Sequence, residues 1–197
     1  MELILASKSP RRIQLLQQFG LEFRIHAADV PEMGAETPEQ TALGNALAKA
    51  QAVYELFPGS LIIGADTIVV IGQEILGKPS DRDDAVRMLR LLSGKKHRVI
   101  TGVALLSAVK QRTIYVSTDV YFRHLEDYEI RTYINSGEPF DKAGSYAIQG
   151  IGGAFVESIS GCYYNVVGMP IPRLLLELRE FGIDVFTQEG GEQGGRL

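Results

Sequence analysis

The sequence predicts an α/β fold in which helices pack on a mixed β-sheet. Short runs rich in β-branched residues alternate along the chain with amphipathic segments of helical period, and this alternation is typical of layered α/β domains. The 197 residues show no internal repeat, and 45% of them are hydrophobic, which is enough to form a core without metals or disulfides. We therefore expect a single domain over residues 1–186.

Composition and charge argue against several classes of protein. No apolar run approaches the roughly 18 residues of a membrane span, and no basic start with a long apolar segment precedes the first strand. We therefore expect no membrane association and a cytoplasmic location. The single cysteine, Cys162, cannot form an internal disulfide, which agrees with a reducing compartment. A net charge of -4 with scattered cations argues against nucleic-acid binding.

The first predicted elements are a buried strand at residues 3–7 and a helix that begins at Ser9 and Pro10. Two arginines, Arg11 and Arg12, occupy the first helical turn, where the helix dipole disfavours a cation by about 0.3 to 1 kcal/mol. A bound phosphate would compensate for this cost. The alternative is a pair of solvated arginines.

After a short strand at residues 23–25, Thr37 and Gln40 form a capping box that opens a helix to about Leu56. Lys49 lies at the flank of its apolar face, where it either presents its ammonium to a cleft or is merely solvated. The predicted buried face consists of Leu43, Ala46, Leu47, Ala50, Val53 and Tyr54.

The most unusual stretch is the apolar strand 61–71, because Asp66 lies in its middle. A buried ionised carboxylate is costly unless it is paired or hydrogen-bonded, so Asp66 either accepts hydrogen bonds in a structural role or belongs to a site. Gly72 predicts a tight hairpin turn. The returning strand, 74–76, would bring Lys78 close to Asp66.

Scaffold elements follow. Residues 80–83 cap a helix that ends at Ser93, and two long strands are predicted at 98–106 and 112–123. His97, just before the first of these strands, is interpreted as a surface histidine. A short amphipathic helix ends at Gly137.

The last third of the chain begins with a second dense stretch, 136–153, whose glycines, acids, lysine and glutamine are typical of a binding loop rather than a core element. A surface loop without a role is the alternative. A strand at 154–159, a turn at 163–168 and a helix at 170–181 complete the domain. The glycine-rich residues 187–197 are expected to form a flexible tail.

Several polar residues are left unexplained by the scaffold. Cations at a helix start suit a polyphosphate, and carboxylates without histidine or cysteine partners suit Mg²⁺ or Mn²⁺. Hydrolysis of a phosphoanhydride is therefore a candidate reaction, whereas the P-loop, G-x-S-x-G and H-E-x-x-H patterns are absent from the sequence. These residues are Arg11, Arg12, Lys49, Lys78 and Lys142, with Glu32, Asp66, Glu138 and Asp141.

A set of ordered motifs covers nearly the whole chain except the tail. They are Leu-Ala-Ser-Lys-Ser-Pro-Arg-Arg at 5–12, Gly-Ala-Asp-Thr at 64–67, Gly-Lys-Pro at 77–79, Thr-Gly-Val at 101–103, Gly-Glu-Pro-Phe-Asp-Lys-Ala-Gly-Ser-Tyr-Ala-Ile-Gln-Gly at 137–150 and Asn-Val-Val-Gly-Met-Pro at 165–170. In these motifs the chain resembles the Maf family of nucleoside triphosphate pyrophosphatases, and in particular its dTTP/UTP branch. The resemblance implies a three-layer α/β/α arrangement around an elongated mixed sheet.

The same resemblance implies roles for individual residues. Asp66 matches the proton acceptor and, with Glu32, the site of a divalent metal, Mg²⁺ or Mn²⁺. Two departures from the family pattern occur, at Lys8 and in the segment 30–32. The implied substrate-binding residues are Arg11, Thr67 and Gln149 for choice of the base, and Arg12, Lys49 and Lys78 for the phosphates.

The resemblance also implies an activity, namely hydrolysis of a pyrimidine nucleoside triphosphate to the monophosphate and pyrophosphate. It further implies removal of nucleotides before polymerases use them, a link to septum formation and cell division arrest, and a homodimer. Two alternatives remain open at this point. One is a pyrophosphatase for purine or modified nucleotides, and the other is a non-catalytic nucleotide-binding regulator of septum formation.

Overall fold

The computed structural model describes residues 1–27 and 29–187 and contains a mixed seven-stranded sheet with helices on both faces. Six strands follow the order β2-β1-β3-β5-β6-β7, and β4 pairs with β3 outside this path. The strands are β1 (Leu3–Leu5), β2 (Arg24–Ile25), β3 (Leu61–Ile71), β4 (Glu74–Leu76), β5 (Lys96–Leu106), β6 (Gln111–Phe122) and β7 (Val156–Ser160). The helices are α1 (Pro10–Gln18), α2 (Pro38–Tyr54), α3 (Arg82–Leu92), α4 (Asp127–Asn135), α5 (Tyr163–Val167) and α6 (Ile171–Arg179).

This architecture confirms the predicted α/β class and mixed sheet. Among the described residues, none of the helices is long and apolar enough to cross a membrane. The predicted tail lies outside the described residues from position 188 onward.

Local signals in the sequence correctly marked several element ends. Thr37 and Gln40 form both hydrogen bonds of the predicted capping box at the start of α2. Gly72 has a φ of 58° in the turn between β3 and β4, a conformation that glycine adopts without steric cost. Ser9 precedes α1 as predicted, but its side chain makes no capping hydrogen bond.

One edge of β3 is divided between two partner strands. β1 runs parallel to residues 61–63, whereas β4 folds back antiparallel on residues 69–71. The opposite edge pairs with β5 along most of its length. Within the described part of the chain, residues 64–68 therefore have a neighbouring strand on one side only. The resulting gap in the sheet lies beside Asp66 and Thr67.

The helix α2 covers one face of the sheet, and two glycines allow it to approach closely. A Cβ atom on Gly64 would lie 2.1 Å from the carbonyl oxygen of Ala46, and one on Gly102 would lie 2.3 Å from that of Ala42. Because no side chain stands between the helix backbone and the strands at these points, small and polar residues form the contact.

This close approach corrects part of the predicted buried face of α2. Leu43, Leu47 and Tyr54 are only partly buried, whereas Ala42 and Asn45 are buried against the sheet. The prediction is confirmed for Ala46, Ala50 and Val53, but it is wrong for the large side chains, because these cannot fit where glycines face the helix.

The other five helices cover the opposite face in two hydrophobic clusters. In one cluster, Leu16 of α1 and Leu174 of α6 pack with Leu61 and Ile63 of β3. The second cluster joins α3 and α4 to Val69 and to the ends of β5 and β6. Helices on both faces of one sheet give the three layers that the resemblance implies.

Alternation along β3 sends neighbouring side chains to opposite faces of the sheet. Ile62 packs in the cluster under α2, and Asp66 has the same parity and contacts α2. Ile63 packs on the other face, as does Thr67, which contacts Arg12 of α1. The gap in the sheet makes both side chains accessible from one cleft.

The structure also overturns two expectations, one about His97 and one about residues 163–168. His97 is 2% exposed rather than on the surface, because β5 begins at Lys96, earlier than predicted, and strand alternation turns His97 inward. Residues 163–168, expected to form a turn, form the short helix α5 and Gly168. The predicted loop 136–153 folds into a series of 3-10 turns.

Candidate active site

A cleft of about 540 Å³ opens at the gap in the sheet. The start of α1, one side of α2, the segment after β4 and the 3-10 turns that follow α4 all contribute to its walls. The structure brings together in this cleft all eight residues that the resemblance assigns to the site, but not Glu138. These residues are Arg11, Arg12, Glu32, Lys49, Asp66, Thr67, Lys78 and Gln149.

The Asp66 carboxylate is buried, at 4% exposure, and is compensated by two donors from α2. Lys49 Nζ lies 2.6 Å from Asp66 Oδ1, and Asn45 Nδ2 donates to Asp66 Oδ2 at 3.2 Å. A carboxylate has about four lone-pair positions, so Asp66 retains acceptor capacity towards the cleft. The close approach of α2 at Gly64 allows both donors to reach the strand.

Lys49 joins the buried carboxylate to an exposed one. Its Nζ lies 2.9 Å from Glu32 Oε1, and the side chains of Lys49 and Glu32 are 13% and 58% exposed. Within the described structure, Lys49 is thus paired with both Asp66 and Glu32. The resemblance assigns this lysine to substrate phosphate, so its ion pairs must change if it is to serve that role.

Arg12 is fixed by three hydrogen bonds and is not a solvated arginine. It donates from Nε to the carbonyl oxygen of Gly168 at 2.9 Å, from Nη2 to Thr67 Oγ1 at 3.0 Å and from Nη1 to Ser7 Oγ at 3.3 Å. Burial lowers the pKa of Arg12, an effect that the nearby Asp66 charge opposes. A guanidinium stays charged at neutral pH, so Arg12 places a permanent positive charge beside Thr67.

The direction of the Thr67 hydroxyl follows from its neighbours. Thr67 Oγ1 lies 3.0 Å from Thr101 Oγ1, and Thr101 in turn donates to the carbonyl oxygen of Asn165 at 3.0 Å. A hydroxyl has a single proton, and since Thr101 uses its proton on the carbonyl, Thr67 must donate to Thr101 and accept from Arg12. Towards the cleft, Thr67 can therefore only accept a hydrogen bond.

Three cations of the cleft, Lys8, Arg11 and Lys78, form no ion pair with any of the described residues. Lys142, by contrast, pairs with Asp141. Burial raises the pKa of Asp141, but the hydrogen bond from Lys142 and the charges of Lys142 and Arg11 lower it overall. Among the described residues, the cleft thus has three cations without an ion pair, whereas Lys49 of α2 is already paired.

The loop that carries Gln149 is anchored by hydrogen bonds to Glu138. Glu138 accepts hydrogen bonds from the backbone N–H groups of Ile151 at 3.0 Å and Gly152 at 3.1 Å, and from Tyr133 Oη at 2.9 Å. Glu138 therefore has a structural role, and it is not among the residues that line the cleft. These contacts present Gln149, which is exposed, at the rim of the cleft.

A second anchor of this loop is a buried aromatic cluster. His97 Nε2 lies 2.8 Å from Tyr146 Oη, and the rings of Phe122 and Tyr146 pack edge to face at 4.7 Å. Burial lowers the pKa of His97 to about 4, so it is neutral at physiological pH. Tyr146 itself lines the cleft.

Sequence reasoning missed four residues that hold the site: Ser7, Asn45, Thr101 and Gly168. Asn45 had a signal, since it lies four residues before Lys49 and therefore on the same side of the helix. Gly168 contributes its carbonyl oxygen, which no side-chain pattern reveals.

The donor set at Asp66 and Glu32 fits a hard divalent cation that also binds substrate. The ammonium of Lys49 lies within 3 Å of an oxygen of each carboxylate, which shows that one cation can contact both. Among the described residues there is no group of three or more histidine, cysteine, aspartate or glutamate side chains suited to a metal. Mg²⁺ typically binds through one or two carboxylates together with waters and substrate phosphates.

A family model described as Maf-like protein matches residues 2–181. The chain belongs to this Maf family. The resemblance deduced from the motifs is thus confirmed over nearly all of the described residues.

Three relatives of this Maf protein carry the name dTTP/UTP pyrophosphatase. One from Bacillus cereus (strain G9842) is 51% identical over 93% of this chain and 97% of that protein. One from Pelotomaculum thermopropionicum is 47% identical, over 93% of this chain and 98% of its own length. One from Symbiobacterium thermophilum is 46% identical over 96% of this chain and 99% of that protein. The structure of the Staphylococcus aureus Ham1 protein matches 62% of this chain and 72% of that chain at 13% identity, with a TM-score of 0.47.

Proposed function

We propose that this Maf protein hydrolyses dTTP and UTP to the nucleoside monophosphate and pyrophosphate. The observation that carries the proposal is the cleft itself, where a buried carboxylate lies together with three cations that form no ion pair within the described residues. The chain also aligns over almost its full length with relatives named for this activity.

The triphosphate would lie against the unpaired cations, Lys8, Arg11 and Lys78. Among the described residues these side chains have no ion pair to lose when a phosphate binds. Arg11 also lies in the first turn of α1, where the helix dipole favours an anion. Lys8 departs from the family pattern, and we propose that it adds a phosphate contact in this chain.

Asp66 would take a proton from the attacking water. Its two oxygens each use one lone pair on α2, which leaves acceptor capacity for a water in the cleft. The oxygen of that water forms a bond to the α-phosphorus, the bond from this phosphorus to the bridging oxygen breaks, and the electron pair leaves with pyrophosphate. Arg12 and the unpaired cations stabilise the negative charge that develops on the phosphate oxygens.

A divalent metal, Mg²⁺ or Mn²⁺, is part of the proposal. Asp66 and Glu32 would hold it together with phosphate oxygens of the substrate. When bound, such an ion neutralises phosphate charge and polarises the attacked phosphorus.

The pyrimidine base would be chosen by hydrogen bonding at the cleft. The Gln149 amide offers a donor and an acceptor, which matches the O4 and N3–H edge of uracil or thymine. Thr67 accepts but cannot donate towards the cleft, so it suits a donor on the substrate. Arg11, Thr67 and Gln149 are the residues that the resemblance associates with this choice.

A panel of triphosphates tests the proposal directly. Purified protein is incubated with dTTP, UTP, ITP and 7-methyl-GTP, with Mg²⁺, with Mn²⁺ or with a chelator, and both pyrophosphate and the nucleotide product are measured. We expect metal-dependent release of pyrophosphate and a monophosphate from dTTP and UTP. Preference for a purine triphosphate would contradict the proposed substrate, and turnover that persists in the chelator would contradict the metal.

The remaining expectations from the resemblance are nucleotide housecleaning, a link to septum formation and a homodimer. We propose them on the resemblance alone. Light scattering coupled to gel filtration tests the dimer, and division phenotypes of cells that carry Asp66→Asn test whether the cellular role depends on catalysis.

A further inference from the structure

Lys49 is the one cation of the described cleft that contacts two of its carboxylates at once. Its Nζ lies 2.6 Å from Asp66 Oδ1 and 2.9 Å from Glu32 Oε1. These are the two side chains assigned above to a divalent metal. The ammonium thus contacts both of the carboxylates that would hold the metal.

A lysine ammonium and a divalent cation that bind the same two carboxylates at short range repel each other. An ammonium and a divalent ion about 4 Å apart repel each other by roughly 8 kcal/mol at the effective dielectric constant of a protein surface, twice the value for two unit charges. The Lys49 side chain is 13% exposed, so water screens this repulsion only in part. Entry of the metal therefore requires the ammonium to move away.

The displaced ammonium finds few new partners in the described part of the cleft unless substrate is present. Within the described residues, the remaining carboxylates lining the cleft are Asp29 and Asp141, and Asp141 is already paired with Lys142. A triphosphate brings several anionic oxygens into the same cleft. Lys49 could then exchange carboxylate contacts for phosphate contacts without losing its charge compensation.

We propose that Lys49 acts as an internal counter-ion that competes with the divalent metal for Asp66 and Glu32 in the substrate-free protein. This inference rests on the proposed function. Metal and triphosphate consequently bind with positive coupling, because the substrate provides the anion that Lys49 needs once the metal displaces it. Lys49 is a positioning residue in the free protein and a phosphate ligand only after the exchange.

The test measures metal binding without any nucleotide, so it does not depend on turnover. Mn²⁺ is titrated into the full chain, and free Mn²⁺ is followed by electron paramagnetic resonance. For Lys49→Met we expect the dissociation constant of Mn²⁺ to fall by about tenfold or more relative to wild type, within the usual range of such couplings. Lys49→Gln, which keeps a hydrogen-bond donor without the charge, is expected to show a similar fall in the dissociation constant of Mn²⁺. This variant replaces Lys49→Met in the titration if Lys49→Met fails to fold.

Two matched variants separate direct competition from the general electric field of the cleft. Lys78→Met removes a cation from the same cleft without touching either carboxylate, and it should change Mn²⁺ binding much less. The double variant Lys49→Met with Asp66→Asn should lose the increase in Mn²⁺ affinity that Lys49→Met alone produces. Unchanged or weaker Mn²⁺ binding in both Lys49 variants, or an equal gain in Lys78→Met, would overturn the inference. If hydrolysis fails in the substrate panel but this titration succeeds, only the proposed function falls.

Discussion

Replacement of Gly64 by alanine should lower both the stability and the activity of this protein, and the activity should stay low when the stability is restored. The added Cβ would lie 2.1 Å from the carbonyl oxygen of Ala46, and ordinary contact begins at 3.4 Å, so α2 must retreat from β3 by about 1.3 Å at this point. Overpacking of this kind costs about 1 to 3 kcal/mol of unfolding free energy.

The same retreat moves the hydrogen-bond donors of the Asp66 carboxylate. Asn45 and Lys49 lie on α2, close to the contact with Gly64, and both bind Asp66. A displacement of about 1 Å in an active site can reduce the rate about a hundredfold. We therefore expect kcat/KM for dTTP to fall by one to two orders of magnitude under conditions in which Gly64→Ala is still folded.

A second glycine provides the matched control. Gly44 lies on the exposed side of α2, and a Cβ atom added there would have no other atom within 4 Å, so Gly44→Ala should stabilise the helix by about 0.5 to 1 kcal/mol. Urea unfolding followed by circular dichroism gives the stabilities, and pyrophosphate release gives the activities. The double variant should regain stability but not activity. Wild-type activity in a folded Gly64→Ala variant would refute the reasoning.

Three further predictions concern single side chains. Asp66→Asn should lower dTTP hydrolysis about a hundredfold or more with an unchanged circular dichroism spectrum, and wild-type turnover in this variant would exclude Asp66 as the base. Burial lowers the pKa of His97 from 6.5 to about 4, so His97 takes up a proton at a higher pH in the unfolded state than in the folded state. The free energy of unfolding should therefore fall by up to roughly 3 kcal/mol as the pH drops between these values. Denaturant titrations across this range should show a smaller pH dependence in His97→Gln. Thr101→Val, which removes the acceptor of the Thr67 proton, should reduce kcat/KM for UTP about tenfold, whereas Thr101→Ser should retain most of it; equal losses in both variants would show that the hydroxyl is not what matters.

Much of the site could be predicted because its residues conflict with local structure. Asp66 interrupts an apolar strand, and Arg11 and Arg12 occupy a helix end that disfavours cations. Such conflicts are visible without any knowledge of the fold. The motif resemblance then named the family that the family model confirmed, while the roles of the individual residues stay predictions.

The amino-acid sequence, together with the motif resemblance, determined the mixed α/β class, most of the elements and eight of the residues that meet in the cleft. Only the tertiary structure decided how those residues are paired. The division of one edge of β3, the close approach of α2 at Gly64 and the inward turn of His97 all depend on which strands and helices become neighbours. Local propensity and periodicity report the preference of a segment for a conformation, whereas strand register and interhelical distance arise from contacts between segments far apart in the chain. For this reason Lys49 could be placed near a cleft from its position in a helix, but its bridge between Asp66 and Glu32 required the fold.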